Sequence, residues 1–175
     1  MFEAKLEKGT DFKKIVSALK ELIDQASWDM TNEGVQLQSM DSSHVALVQL
    51  HMKESGFESY RCDNSMAMGL NMEHLNKIFG AFSSGSVEIS SEDDSDSVKF
   101  VFEDAKGSRK QSYELRLMDL DVEQLGIPDQ EYGASFTMPS AEFTKIIKDM
   151  LVIGETVNIN VTKGQVQFKT DVSKI

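Results

Sequence analysis

The chain opens on an alternation. From Phe2 in "MFEAKL" apolar and polar residues exchange at every step, the period of a strand with one buried face. Gly9 and Thr10 break that pattern. Thr10 is placed to cap a helix and Asp11 to sit in its first turn, where a carboxylate meets the positive end of the helix dipole. Then the period changes. Phe12, Ile15, Val16, Leu19, Leu22 and Ile23 recur at three- and four-residue spacing, the apolar stripe of an amphipathic helix. Lys13, Ser17, Lys20 and Asp24 fall on the opposite side, with Lys14 and Glu21 flanking. "TNEG" signals a turn, "VQLQSM" and "HVALVQLHM" read as paired strands, and "FESYRCD" as another short one. "NMEHLNKIF" predicts a second helix with Met72, Leu75 and Phe79 on its apolar side, ended by "GAFSSGS". "SVEIS", "SVKFVFE" and "SYELRLMDL" are three further strands, and "SSEDDSDS" between the first two is a solvated hairpin turn.

Two helices among many antiparallel strands predict an α+β domain over residues 1–116, with helices packed on one face of a sheet. After it, "DVEQLGIPDQEYG" has neither helical nor strand periodicity and reads as an extended connector. Leu125, Ile127 and Pro128 lie there with no element to bury them. They are candidates for a partner-docking surface; the plainer alternative is a loop that packs its own leucine back onto the sheet.

Past the connector the chain repeats itself. At an offset of 131 positions Phe12 falls on Phe143, Lys14 on Lys145 and Ile15 on Ile146. At the same offset Thr31 falls on Thr162, Val35 on Val166, Gln36 on Gln167 and Leu37 on Phe168. Helix and strands keep one offset without a gap, which chance likeness between two amphipathic helices does not explain. The organisation expected is a first domain over 1–116, a connecting loop over 117–133 and the start of a second, similar domain over 134–175.

Charge sharpens this picture. The chain of 175 residues carries a formal net charge of -11, so as a whole it repels nucleic acid at long range. Yet both repeated helices carry lysine on their polar sides: Lys13, Lys14 and Lys20 in the first, Lys145 and Lys148 in the second, with Lys77 on the short helix. Equivalent helices in tandem repeats would present one shared positive surface, which suits a polyanion on one side only. The single cysteine, Cys62, forms no internal disulfide, and three histidines make a zinc site improbable; a reducing compartment, cytosol or nucleus, is favoured. No apolar run approaches the ~20 residues of a membrane span, and "MFEAKLEKGT" lacks the apolar core of a secretory signal. No glycine-rich phosphate loop and no nucleophile–base pair stand out, and Asp93, Asp94 and Asp96 lack a defined ligand loop. Neither an enzyme nor a bound cofactor is expected.

"MFEAKL", "LQSMDSSHVALVQL", "YRCD", "AMGLN" and "LMDLDVEQLGIPDQEY" together resemble the proliferating cell nuclear antigen family, the eukaryotic DNA sliding clamps. The resemblance implies the DNA-clamp fold, with tandem-repeat domains of helices on antiparallel sheets. It implies duplex DNA threading a homotrimeric ring, helices lining the hole, and a nuclear processivity factor for DNA polymerase in replication and repair. The partners it implies are DNA polymerase and other clamp-binding proteins carrying a docking peptide, and the clamp loader. On this chain the DNA-facing residues would be Lys13, Lys14, Lys20, Arg61, Lys77, Arg109, Lys145 and Lys148; Gly80 stands where family members commonly have lysine. Lysine suits a sliding contact, because a mobile point charge on phosphate carries no base information. The partner-peptide pocket would take in Met40, His44, Val45, Leu47, Leu125, Ile127 and Pro128. Lys163 would be the site of ubiquitin conjugation, although by spacing alone it is an ordinary turn lysine beside Gly164. The family's second domain runs further than this sequence does. The expectation is therefore a second domain that is incomplete, a ring that does not close from this chain alone, and, as the alternative function, a shortened module that binds clamp partners without encircling DNA.

Overall fold

A computed structural model describes residues 1–121, 125–127, 129 and 131–171. They form two compact units, Met1–Leu125 and Gly126–Ile175.

Among the described residues the first unit is α+β, with two antiparallel sheets and two α-helices. One sheet is built from β1 (Phe2–Leu6), β5 (Ser59–Cys62), β7 (Ser86–Ser91), β8 (Ser97–Glu103) and β9 (Lys110–Arg116), in the order β5-β1-β7-β8-β9. The other is built from β2 (Gln25–Thr31), β3 (Gly34–Met40), β4 (Leu47–Lys53) and β6 (Met66–Asn71), in the order β4-β3-β2-β6. The helices are α1 (Gly9–Leu19) and α2 (Met72–Gly80). Period-2 burial drives the strands: β1 buries Phe2, Ala4 and Leu6, and β8 buries Val98, Phe100 and Phe102. The helices join the two sheets into one core. Phe12 of α1 lies 5.7 Å from the Trp28 ring on β2, and Phe79 of α2 lies 5.6 Å from Phe100 on β8. The two rings meet each other at 5.1 Å. Such tilted and edge-on aromatic contacts add to the area they bury.

The start of α1 differs from the expectation. It begins at Gly9, with Lys8 at the cap position and no side-chain cap; Thr10 is inside the helix. A tertiary contact sets this start. Gly9 donates its N–H to Gly85 O at 3.0 Å, and a Cβ on Gly9 would fall 2.3 Å from Val87 Cγ2 and 2.7 Å from the Phe82 ring. Its end is also earlier. Leu22 is exposed and Ile23 is buried beyond the last turn, so the apolar spacing outlasts the helix. By contrast α2 is capped from its own sequence: Asn71 Oδ1 accepts from His74 N at 2.9 Å.

Two strands went unseen in the sequence. β2 alternates as cleanly as β1, burying Ala26, Trp28 and Met30, and it is the strand that "TNEG" turns into β3. β6 flanks β2 on its other side. Gly69 in β6 is required by its neighbour, since a Cβ there would lie 2.1 Å from Met118 O, and Met118 N donates to Gly69 O at 2.8 Å. β4 begins at Leu47, not at His44; the intervening loop is described below.

The second unit holds α3 (Ser140–Leu151) and a hairpin of β10 (Val157–Thr162) and β11 (Gln165–Thr170). The hairpin repeats the first unit's register. Trp28 pairs Leu37 and Thr31 pairs Gly34 in β2–β3; Ile159 pairs Phe168 and Thr162 pairs Gln165 in β10–β11. Each of these is the offset of 131 read in the sequence. Phe168 meets Phe143 of α3 at 6.1 Å and Phe136 at 6.2 Å.

Candidate nucleic-acid interface

The helices α1 and α2 lie side by side. Ser17 Oγ donates to Asn76 Oδ1 at 3.1 Å, and the Lys13 ammonium donates to Phe82 O at 2.6 Å, just past the end of α2. Lys13 is thus half-buried, a tie across the pair at a helix C-terminus, where a cation is favoured. It belongs to the inter-helix seam and not to the outermost surface. Lys14 is the outward lysine of that turn, its side chain 79% exposed and 3.4 Å from Asp11. Lys20 pairs with Glu21 at 2.8 Å, and Lys77 with Glu73 at 2.6 Å in an i,i+4 pair. The Glu21 hydrogen bond and charge raise the Lys20 pKa, and Lys77 lowers that of Glu73. Glu73 also adds to the field at Lys20, so the facing ends of the two helices share one charge network. All these pairs are solvent-exposed. Exposed pairs contribute roughly 0–1 kcal/mol each and are screened by salt, so a phosphate can replace the carboxylate at little cost.

Within the first unit two further cations lie away from the helix pair. Arg61, on the edge strand β5, is held by Asp63 in a two-point pair, Nε to Oδ1 at 2.9 Å and a terminal nitrogen to Oδ2 at 2.8 Å. Arg109 sits in the loop before β9, at the opposite edge of the same sheet. That loop is organised by Asp104, whose carboxylate accepts from Ser108 Oγ at 2.8 Å and from the N–H groups of Ser108 and Arg109 at 2.7 and 3.1 Å. These bonds, Ser108's first, lower its pKa. In the second unit Lys145 and Lys148 are exposed on α3, and Lys163 is exposed in the two-residue turn of the β10–β11 hairpin.

A cleft of about 490 Å³ opens on the first unit. Its lining includes Met40, His44, Leu47 and Leu125, four of the residues expected in a partner pocket, together with Ile23 and Asp41. The loop between β3 and β4 is wound about the Asp41 carboxylate. Oδ1 accepts from Val45 N at 2.8 Å and Ala46 N at 2.7 Å, and Oδ2 from the Ser43 hydroxyl and N–H. These bonds, the Ser43 hydroxyl's foremost, hold the Asp41 carboxyl far below the usual carboxylate range. Within that loop His44 takes φ of 57°, the left-handed region. Val45 is 84% exposed beside the cleft and does not line it. Ile127 belongs to the second unit and is 52% exposed; Pro128 lies outside the described residues.

Family comparison covers nearly the whole chain. Residues 1–125 match the N-terminal domain of proliferating cell nuclear antigen, and residues 126–173 match its C-terminal domain. The chain belongs to the proliferating cell nuclear antigen family. Its α+β fold of helices on antiparallel sheets is that family's clamp fold, and the join between the two matches coincides with the division into compact units. The family is one of DNA sliding clamps that serve replication, and such clamps are not enzymes. Among the described residues no group of three or more His, Cys, Asp or Glu side chains could hold a metal ion.

Sequence reasoning for this clamp-family chain missed several of the cleft's residues. Ile23 continues the apolar spacing of α1, and its place in the cleft follows from α1 ending early. Gln38 was not singled out at all, though its side chain holds Leu125 by two hydrogen bonds. A glutamine on the outward face of a strand carries no sequence signal of such a role. Asp41 did carry one: Asp-Ser-Ser beyond a strand end is turn chemistry, with side-chain oxygen available to backbone N–H groups.

Proposed function

We propose that this clamp-family chain binds duplex DNA through the outward lysines of α1 and α2, and docks partner peptides in the cleft formed by Met40, His44, Leu47 and Leu125. In this reading it is a nuclear processivity factor for DNA polymerase in replication and repair, with Lys163 a surface site for a conjugated modifier. The observation that carries the reading is the gathering of Lys14, Lys20 and Lys77 on adjoining helices of a chain with net charge -11. Their carboxylate partners are exposed, so phosphates can take over those cations, and contacts of this kind tolerate sliding. Lys13, Arg61, Arg109, Lys145 and Lys148 are the further cations of the proposal.

Charge reversal tests it against its rival. The triple variant K14E/K20E/K77E should lose duplex DNA association and keep peptide binding. The double variant L125A/I127A should do the reverse. The rival reading is an interaction module that binds clamp partners without encircling DNA. It is favoured by the cleft, whose lining lies wholly within the first unit. If the lysine reversals leave every DNA readout unchanged while the L125A/I127A variant loses peptide, the rival prevails.

A further inference from the structure

Leu125, the last residue of the first unit, is held to β3 by a side chain that acts like a strand. Gln38 on β3 donates from Nε2 to Leu125 O at 2.9 Å, and Leu125 donates its N–H to Gln38 Oε1 at 2.7 Å. One primary amide therefore satisfies both backbone groups of one connector residue, the ring of two bonds that a β-bridge would make. The geometry follows from the sheet. Leu37 points into the core and is fully buried, so Gln38 must point to the outer face. Its ladder partner there is Gln49 on the edge strand β4. Leu125 lines the cleft, and its side chain stays well exposed even so. What holds it is the pair of bonds to its backbone more than burial of its side chain.

We propose that Gln38 is a positioning residue: its amide latches the connector at Leu125 and so sets one apolar wall of the cleft. The latch makes Leu125 part of a preformed surface, which removes part of the ordering cost a docking peptide would otherwise meet. Two solvent-accessible hydrogen bonds are weak enough to open, so Leu125 can also be released from β3. The latch stands on its own geometry; its effect on a peptide rests on the docking reading above.

The test uses the whole chain and two variants. Q38A removes both bonds. Q38E keeps the acceptor for Leu125 N–H, loses the donor to Leu125 O, and preserves the size of the side chain. Amide hydrogen exchange at Leu125 is read first, with Trp28 fluorescence reporting that the first unit stays folded. Exchange should speed up by on the order of tenfold in Q38A and by less in Q38E. Unchanged exchange at Leu125 in folded Q38A overturns the latch. Binding of a synthetic peptide with an aliphatic and aromatic plug is read second. If wild type binds it, Q38A should weaken that binding by about five- to tenfold, Q38E again lying between. Equal affinity in all three overturns the positioning role and leaves the docking reading intact. If wild type does not bind, the docking reading fails, and the exchange result alone decides the latch.

Discussion

The two units of this chain contain one motif in two settings. Helix, turn and hairpin follow at the same offset, with the hairpins in the same register. The settings differ. In the first unit α1 buries Phe12, Val16 and Leu19 against two sheets; in the second α3 buries none of its residues. Phe12 is 5% exposed and its counterpart Phe143 is 38% exposed. Leu37 is wholly buried, whereas β11, which carries its counterpart Phe168, buries none of its residues. An amphipathic pattern thus specifies which face could be buried. The strands that cover that face decide whether it is, and most helix stability in proteins comes from that packing.

Truncating the paired phenylalanines should give the largest contrast. Phe12→Ala removes a ring packed on Trp28 and Phe79 and should cost about 3–5 kcal/mol in urea unfolding followed by Trp28 fluorescence. Phe143→Ala should leave the Trp28 transition in place, within about 1 kcal/mol. Equal shifts would erase the comparison. Next in size is the helix start. The counterpart of Gly9 is Ser140, which tolerates its Cβ. Gly9→Ser drives a side chain into Val87 and Phe82 and should destabilise by about 1–3 kcal/mol, while Ser140→Gly should change stability by about 1 kcal/mol or less.

Titration probes the packed first unit from within. Tyr60 packs against Phe2 and Phe57, and its hydroxyl donates to Thr31 O at 2.6 Å. Burial pushes its pKa up to about 12. A folded pKa raised above the unfolded value of about 10 gives stability that is complete below pH ~10 and is lost as pH rises toward that of the folded phenol. Absorbance titration of phenolate should show an ionisation that lags the ordinary tyrosine value and falls near pH 12. Loss of that lag in Y60F would assign it. The smallest effect is local. The depressed Asp41 pKa means its contribution is present above the ordinary aspartate pKa of about 3.9 and fades as pH falls below it. Exchange protection at Val45 and Ala46, the amides it accepts from, should drop under acid and be absent in D41A at every pH.

The same contrast explains what could be read from the chain. The repeat, both first-unit helices, the acidic turn between β7 and β8 and the strands around them were legible, because each shows its own period. The start of α1 was not, since Gly85, Val87 and Phe82 fix it from far along the chain. Leu22 and Ile23 misled for the same reason: spacing does not record where a helix stops. At the site, lysine types and positions were legible, but not that Lys13 would tie α1 to Phe82 while Lys14 faces out. Leu125 was legible as an apolar residue in a connector, Met40, His44 and Leu47 came through the family resemblance, and Gln38 was invisible because its bonds reach Leu125, 87 positions away.

Salt dependence tests the DNA reading most directly. Binding of a linear duplex should be measured across a salt series for wild type, for K14A/K20A/K77A and for K145A/K148A. A phosphate contact contributes about 0.9 to the slope of log affinity against log salt. The account predicts that the slope falls by about that amount for each of Lys14, Lys20 and Lys77 removed. A slope identical to wild type in K14A/K20A/K77A would contradict it.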